Sequence, residues 1–227
     1  MPSLPRHIVI VKLYEVMIVG THKYNYNWNF FEEDSEELYY FLGFVAADGY
    51  ISNNEIEIGL SEKDVYLLER FRDLIVPDKP LYHRKRTNSY TLKISCKKYI
   101  ERFKNFYGMT TNKKHEEMTF PDIPEEYVKH FIRGYIDGDG CIDTTKAYRG
   151  ENIYVGQRLR ILGNYEFLNS LNAETKKVIN HNTNTINKKG TENVYVITYN
   201  FKTANNILHW LYDDCNICLP RKQAKVL

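Results

Sequence analysis

Apolar and polar positions alternate over residues 55–60, where Ile56, Ile58 and Leu60 interleave with Glu55, Glu57 and Gly59. That period predicts a half-buried strand, with Asn53-Asn54 as its hairpin turn. A helix over 36–48 precedes it, capped by Asp34 or Ser35 and opening on Glu36 and Glu37. A helix over 64–75, a second hairpin around Thr87-Asn88-Ser89 and a helix from about Lys97 to Tyr107 complete a first series. A second series follows in the same order. Pro124, Glu125 and Glu126 open its first helix, and strands flank Arg149-Gly150 and Lys189-Gly190. Its remaining helices fall near 164–171 and 203–212, and Leu159 and Ile161 alternate with Arg158 and Arg160.

The match between the series extends to individual residues. Residues 40–51 (YFLGFVAADGYI) and 131–142 (FIRGYIDGDGCI) keep a constant spacing of 91, pairing Gly43 with Gly134, Ala47 with Gly138, Asp48 with Asp139 and Gly49 with Gly140. In each helix the small residues lie four apart, so they share one face and let two backbones approach closely. The simplest use of two such helices is to pack on each other. Aligning Ile58 and Leu60 with Leu159 and Ile161 raises the spacing to 101, which implies about ten residues inserted in the second copy between Asp143 and Gly156.

Composition adds bounds. With 227 residues, 43% hydrophobic and 26% charged, the chain suits one large domain or two small ones and is incompatible with wholesale disorder. Four scattered cysteines (Cys96, Cys141, Cys215, Cys218) do not make a disulfide framework, which points to a reducing compartment. Cys215-Asn-Ile-Cys218 has half the spacing of a zinc site without a second pair of ligands. The apolar stretch 8–20 contains Lys12 and Glu15 and has neither the length of a bilayer span nor the organisation of a secretion signal. The expectation is a soluble, intracellular protein with no membrane partner.

The net charge of +2 conceals an uneven distribution. Residues 82–98 hold Arg84, Lys85, Arg86, Lys93, Lys97 and Lys98 with no acid, and residues 175–202 hold five lysines, Lys188 and Lys189 among them, against Glu192 alone. On one surface these segments would hold a polyanion. Asp48 and Asp139 close their helices where the macrodipole is already negative. An isolated Asp-Gly pair commonly just caps a turn. Two acids brought together by the small-residue faces would instead repel unless a cation relieved them.

The segments FLGFVAADG (residues 41–49) and IRGYIDGDG (residues 132–140) resemble the signature of the LAGLIDADG homing endonucleases, and the chain is similar to the single-chain, two-motif members over roughly residues 25–227. The resemblance implies an α+β fold of two pseudo-symmetric αββαββα repeats, with the motif helices paired at the interface and an antiparallel saddle for DNA in each repeat. Residues 25–115 and 116–227 would be the repeats, and residues 1–24 an extension of unknown role. Ala46 departs from the family's frequent Asp at the sixth motif position, where the second copy has Asp137.

The implied activity is metal-dependent, site-specific hydrolysis of both DNA strands by a monomer, leaving short 3′ overhangs and needing no obligate protein partner. Mg²⁺, or Mn²⁺, would be held by Asp48 and Asp139, with the carbonyls of Ala47 and Gly138 facing it. Lys222 and Lys113 are the candidate lysines beside the site. Glu57, Arg84, Arg86, Lys93, Arg158, Arg160, Lys188 and Lys189 are candidate DNA contacts, and aligning Glu57 with Arg158 implies unlike half-sites, because Glu accepts from cytosine and Arg donates to guanine. An intron RNA maturase and a catalytically inactive DNA-binding regulator are the alternatives on the same scaffold. Both carboxylates argue against the latter. The Lys-Val-Leu end lacks the His-Asn terminus of an intein.

Overall fold

The computed structural model describes residues 23–109, 114–181, 185–190 and 193–227. Helix α1 (Glu36–Asp48) leads into β1 (Tyr50–Ile51), β2 (Ile56–Ser61), α2 (Val65–Ile75), β3 (Tyr82–Arg84), β4 (Ser89–Ile94) and α3 (Lys97–Phe106). After the single turn α4 (Lys114–Glu117), the order returns as α5 (Glu125–Asp139), β5 (Gly140–Arg149), β6 (Asn152–Gly163), α6 (Tyr165–Val178), β7 (Ile186–Lys188), β8 (Tyr195–Asn200) and α7 (Phe201–Tyr212), with α8 (Pro220–Gln223) last. The strands form two antiparallel sheets of matching order, β1-β2-β4-β3 and β5-β6-β8-β7. Among the described residues no helix is long and apolar enough to cross a membrane.

Each sheet turns its apolar side to helices. Ile56, Ile58, Leu60, Leu92 and Ile94 are buried in the first, and Leu159, Ile161, Ile197 and Tyr199 in the second. Against the first lies an aromatic stack in which Phe41 and Phe71 sit 4.6 Å apart. Helix α1 is buried from Leu38 through Ala47 because sheet, α2 and α5 surround it. Ser35, not Asp34, caps it by accepting from the Leu38 N–H at 3.1 Å, while Asp34 accepts from the Tyr39 hydroxyl. Asn164 caps α6 in the same way and ties it to the Met118 carbonyl. That helix continues to Val178, beyond the expected end at Leu171.

The strand ladder corrects the alignment of the two hairpins. Ile51 faces Ile56 in the first, and its equivalent Ile142 faces Leu159 in the second. Leu159 therefore corresponds to Ile56, not Ile58, and the insertion is two residues longer than the side-chain pattern implied. Parity is kept, since a shift of two returns each residue to the same face. The counterpart of Glu57 is accordingly Arg160, and that of Glu55 is Arg158.

Candidate active site

The seam between α1 and α5 is set by reciprocal absence of side chains. A Cβ on Gly43 would lie 1.9 Å from the Phe131 carbonyl oxygen, and one on Gly134 would lie 2.0 Å from that of Tyr40. One turn further on, a Cβ on Gly138 would lie 2.4 Å from the Ala47 methyl and 3.4 Å from the Asp48 carboxyl carbon. Asp48 thus stands against the residue preceding Asp139. Gly49 and Gly140 have ordinary φ values of −74° and −77°. Glycine is needed at both because a Cβ would meet the carbonyl four residues back, at 2.5 and 2.6 Å respectively. The tight exits send both chains straight into β1 and β5 and leave Asp48 exposed and Asp139 half-exposed.

Lys222, on α8, reaches the same corner. It is 5% exposed, and its Nζ donates to the carbonyls of Asp137 at 2.7 Å and Gly140 at 2.8 Å, to that of Ile136, and more distantly to that of Gly138 at 3.3 Å. The ammonium therefore satisfies the carbonyl end of α5. Burial pushes it down to about 8 and Arg221 adds to the shift, while Asp137, Asp48 and Asp139 oppose it. Lys113 lies outside the described residues. Among the described residues there is no group of three or more His, Cys, Asp or Glu that could hold a metal ion. Cys215 and Cys218 are free thiols, and burial foremost, with Cys215 next, pushes Cys218 up to about 12.

The candidate DNA contacts fall into charge clusters on the polar sides of the sheets. Glu57 pairs with Lys93 directly across the ladder at 2.7 Å and with Arg84, which places Arg84 on the same face. In the second sheet Asp143 accepts from Arg158 at 2.7 and 2.8 Å and from Arg160 at 2.7 Å. The Arg158 hydrogen bonds hold the Asp143 carboxyl below its usual range. Arg86, Lys188 and Lys189 are exposed. The inserted residues lengthen β5 and β6 into a projecting hairpin that exposes Tyr148, Ile153, Tyr154 and Val155.

Although Asp137 already contrasts with Ala46 in the sequence, Arg133 and Asp137, within the second motif, were not among its candidate site residues. Both are 0% exposed. Arg133 donates to the carbonyls of Leu211 and Ile217 at 2.9 Å each and to Glu36 at 2.6 Å. Asp137 accepts from the Tyr40 and Tyr212 hydroxyls and from the Leu219 N–H. Burial raises the Asp137 carboxyl, and those donors oppose the shift. The available signal was their contrast with Leu42 and Ala46 at the equivalent positions of the first copy.

Paired glycine-faced helices, each ending on an acid at the root of an antiparallel sheet, define a two-fold pseudosymmetric scaffold with one shared acidic corner. The fold is that of the LAGLIDADG homing endonucleases. The LAGLIDADG homing endonuclease I-LtrWI, bound to target DNA, superposes with a TM-score of 0.56 at 16% identity, over 84% of this chain and 87% of that one. I-SmaMI bound to cleaved DNA gives 0.56 at 10% identity over 85% and 87%. The same enzyme bound to uncleaved DNA in the presence of calcium ions gives 0.56 at 11% over 79% and 85%. No family model matches the chain. In sequence, 124 residues, 51% of the chain, are 27% identical to a probable translation initiation factor IF-2 of Thermococcus kodakarensis, of whose length this match spans 10%.

Proposed function

We propose that the protein is a site-specific endonuclease that hydrolyses both strands of a long, asymmetric DNA target as a monomer and leaves short 3′ overhangs. What supports this reading most is the close approach at the foot of the seam, where a Cβ on Gly138, the residue before Asp139, would lie 3.4 Å from the Asp48 carboxyl carbon. Two acids at adjoining helix C-termini are unfavourable in a purely structural role. The DNA-bound state of the structural neighbours supports the same partner.

The donor set is all oxygen: two carboxylates and the nearby carbonyls of Ala47 and Gly138. It fits a hard divalent ion, Mg²⁺ or Mn²⁺, of the kind that one or two carboxylates hold together with substrate phosphate. An ion bound there supplies Lewis acidity toward a phosphodiester oxygen. Each Asp serves one strand, and Lys222 adds fixed positive charge beside the corner where phosphate charge develops. Arg84, Lys93, Arg158 and Arg160 neutralise backbone phosphates or read base edges once the duplex displaces their internal partners, with Arg86, Lys188 and Lys189 at the margins.

A randomised duplex library incubated with and without Mg²⁺, followed by sequencing of cut ends, tests the reading. The expected result is one long, non-palindromic consensus cut on both strands only with the ion. No cutting under any divalent ion, or scattered cutting with no consensus, contradicts it.

A further inference from the structure

The segment 213–219 runs as a strap from the end of α7 to α8, and two residues of α5 hold it. Asp137 contributes a fully buried carboxylate that takes three donors: the Tyr40 hydroxyl at 2.8 Å from α1, the Tyr212 hydroxyl at 2.6 Å from α7, and the Leu219 N–H at 2.7 Å from the strap. Leu219 is the N-cap of α8, and its carbonyl accepts from the Lys222 N–H at 2.8 Å. Asp137 therefore fixes the residue from which Lys222 is measured, and its own carbonyl receives the Lys222 ammonium. One turn earlier, Arg133 grips Leu211 and Ile217, and its partner Glu36 takes the backbone and side-chain N–H groups of Asn216 at 2.9 and 2.8 Å. The first repeat has Leu42 and Ala46 at these positions, and the equivalent of Tyr212 in its fold, Tyr107, donates instead to the Leu42 carbonyl.

We propose that Asp137 is a positioning residue: it seats the strap so that the Lys222 ammonium stands at the C-terminus of α5, and through that lysine it serves the cut on one strand alone. A lysine stem has many rotamers, so an ammonium aimed at a fixed corner needs an anchor this close in sequence and space. Without the carboxylate, the Leu219 N–H and two tyrosine hydroxyls are buried unsatisfied, and the strap loses its anchor at the Lys222 end while Arg133 and Glu36 still hold Ile217 and Asn216. The consequence for cleavage rests on the nuclease reading above; the seating itself rests on the hydrogen bonds alone.

The test compares wild type, Asp137→Ala and the milder Tyr212→Phe by two readouts. Acylation of Lys222 by an amine-reactive reagent, followed by peptide mass spectrometry, reports its seat. Single-turnover cleavage of a selected duplex, labelled separately on each strand, reports its effect. In Asp137→Ala, Lys222 is expected to label several-fold faster. Cutting of one strand is expected to slow by about 10- to 100-fold, with DNA affinity and the other strand unchanged. Adding Lys222→Met is expected to cause no further slowing. Tyr212→Phe is expected to move both readouts in the same direction to a smaller extent, and it carries the test if Asp137→Ala does not fold. Unchanged labelling, equal slowing of both strands, or losses that multiply in the double variant would overturn the proposal. A wild-type protein that cuts no DNA defeats the nuclease reading instead, while the labelling still decides whether Asp137 seats Lys222.

Discussion

Along the seam, Gly43 and Gly134 perform the same task for opposite helices, each accommodating the other's carbonyl oxygen at a distance no side chain would permit. One residue before these glycines and three residues after them, the two repeats part. Leu42 and Ala46 face an apolar core, whereas Arg133 and Asp137 bury an ionic clamp on the C-terminal strap. The sheets diverge as well, with a two-residue β1 in one and a ten-residue β5 in the other. In both polar faces an acid bridges two bases, but that acid is Glu57 on β2 in the first, where Glu55 also pairs with Lys93, and Asp143 on β5 in the second. Close packing of backbones admits only the smallest residues, so near-symmetry survives there, with Ala47 opposite Gly138. Side chains pointing elsewhere are free to specialise, as the asymmetric target proposed above would require.

The seam offers the largest effect. Gly43→Ala and Gly134→Ala each drive a methyl into backbone, which cannot rotate away, and are expected to cost about 3 kcal/mol or more, read by urea denaturation. A cost below about 1 kcal/mol for either means that the helices are not held as closely as their glycines require. Next comes an attempt to make the first repeat resemble the second. Ala46→Asp buries a carboxylate in a repeat where Tyr107, the counterpart of Tyr212, is committed to the Leu42 carbonyl, and an expected loss of about 3 kcal/mol measures how much the strap's donors matter to Asp137. A neutral Ala46→Asp would show that the clamp is not what makes the second repeat accept an acid.

Much of this was legible in the chain. The repeat spacing, the facing glycines and the pairing of Asp48 with Asp139 follow from backbone periodicity, which local sequence records directly. The clamp did not follow, because Arg133 and Asp137 find their partners between Leu211 and Leu219, more than 70 residues away in sequence. Hairpin register was also hidden: Ile56, Ile58 and Leu60 are interchangeable by alternation, and only cross-strand pairing selects Ile56 as the partner of Ile51. Lys222 was named as a candidate lysine beside the site, yet its burial against four carbonyls depends on the strap and not on residues 219–225 alone.

Smaller effects test the sheets. Glu57→Arg gives the first repeat the charge of its true counterpart, Arg160, and is expected to change base preference by about 1–3 kcal/mol at one half-site only, read by selection from the same duplex library. Equal changes in both halves would break the assignment of one sheet to one half-site. The smallest effect is on pH dependence at the top of α5. Burial, with Arg133 beside it, holds His130 down to about 4, partly opposed by Glu36. The unfolded chain therefore takes up a proton near pH 6.5 that the folded protein refuses, so this contribution to stability is complete above about pH 6.5 and declines as pH falls toward 4. His130→Gln is expected to flatten that decline in denaturation curves, and an unchanged slope would show that His130 is solvated in both states.

The most direct measurement takes Asp48→Asn combined with Asp139→Asn, purified alongside wild type and presented with the selected duplex and Mg²⁺. Loss of cutting on both strands with retained, salt-sensitive DNA affinity is the expected result. Cutting that persists in the double variant would contradict the assignment of the acidic corner as the reactive centre.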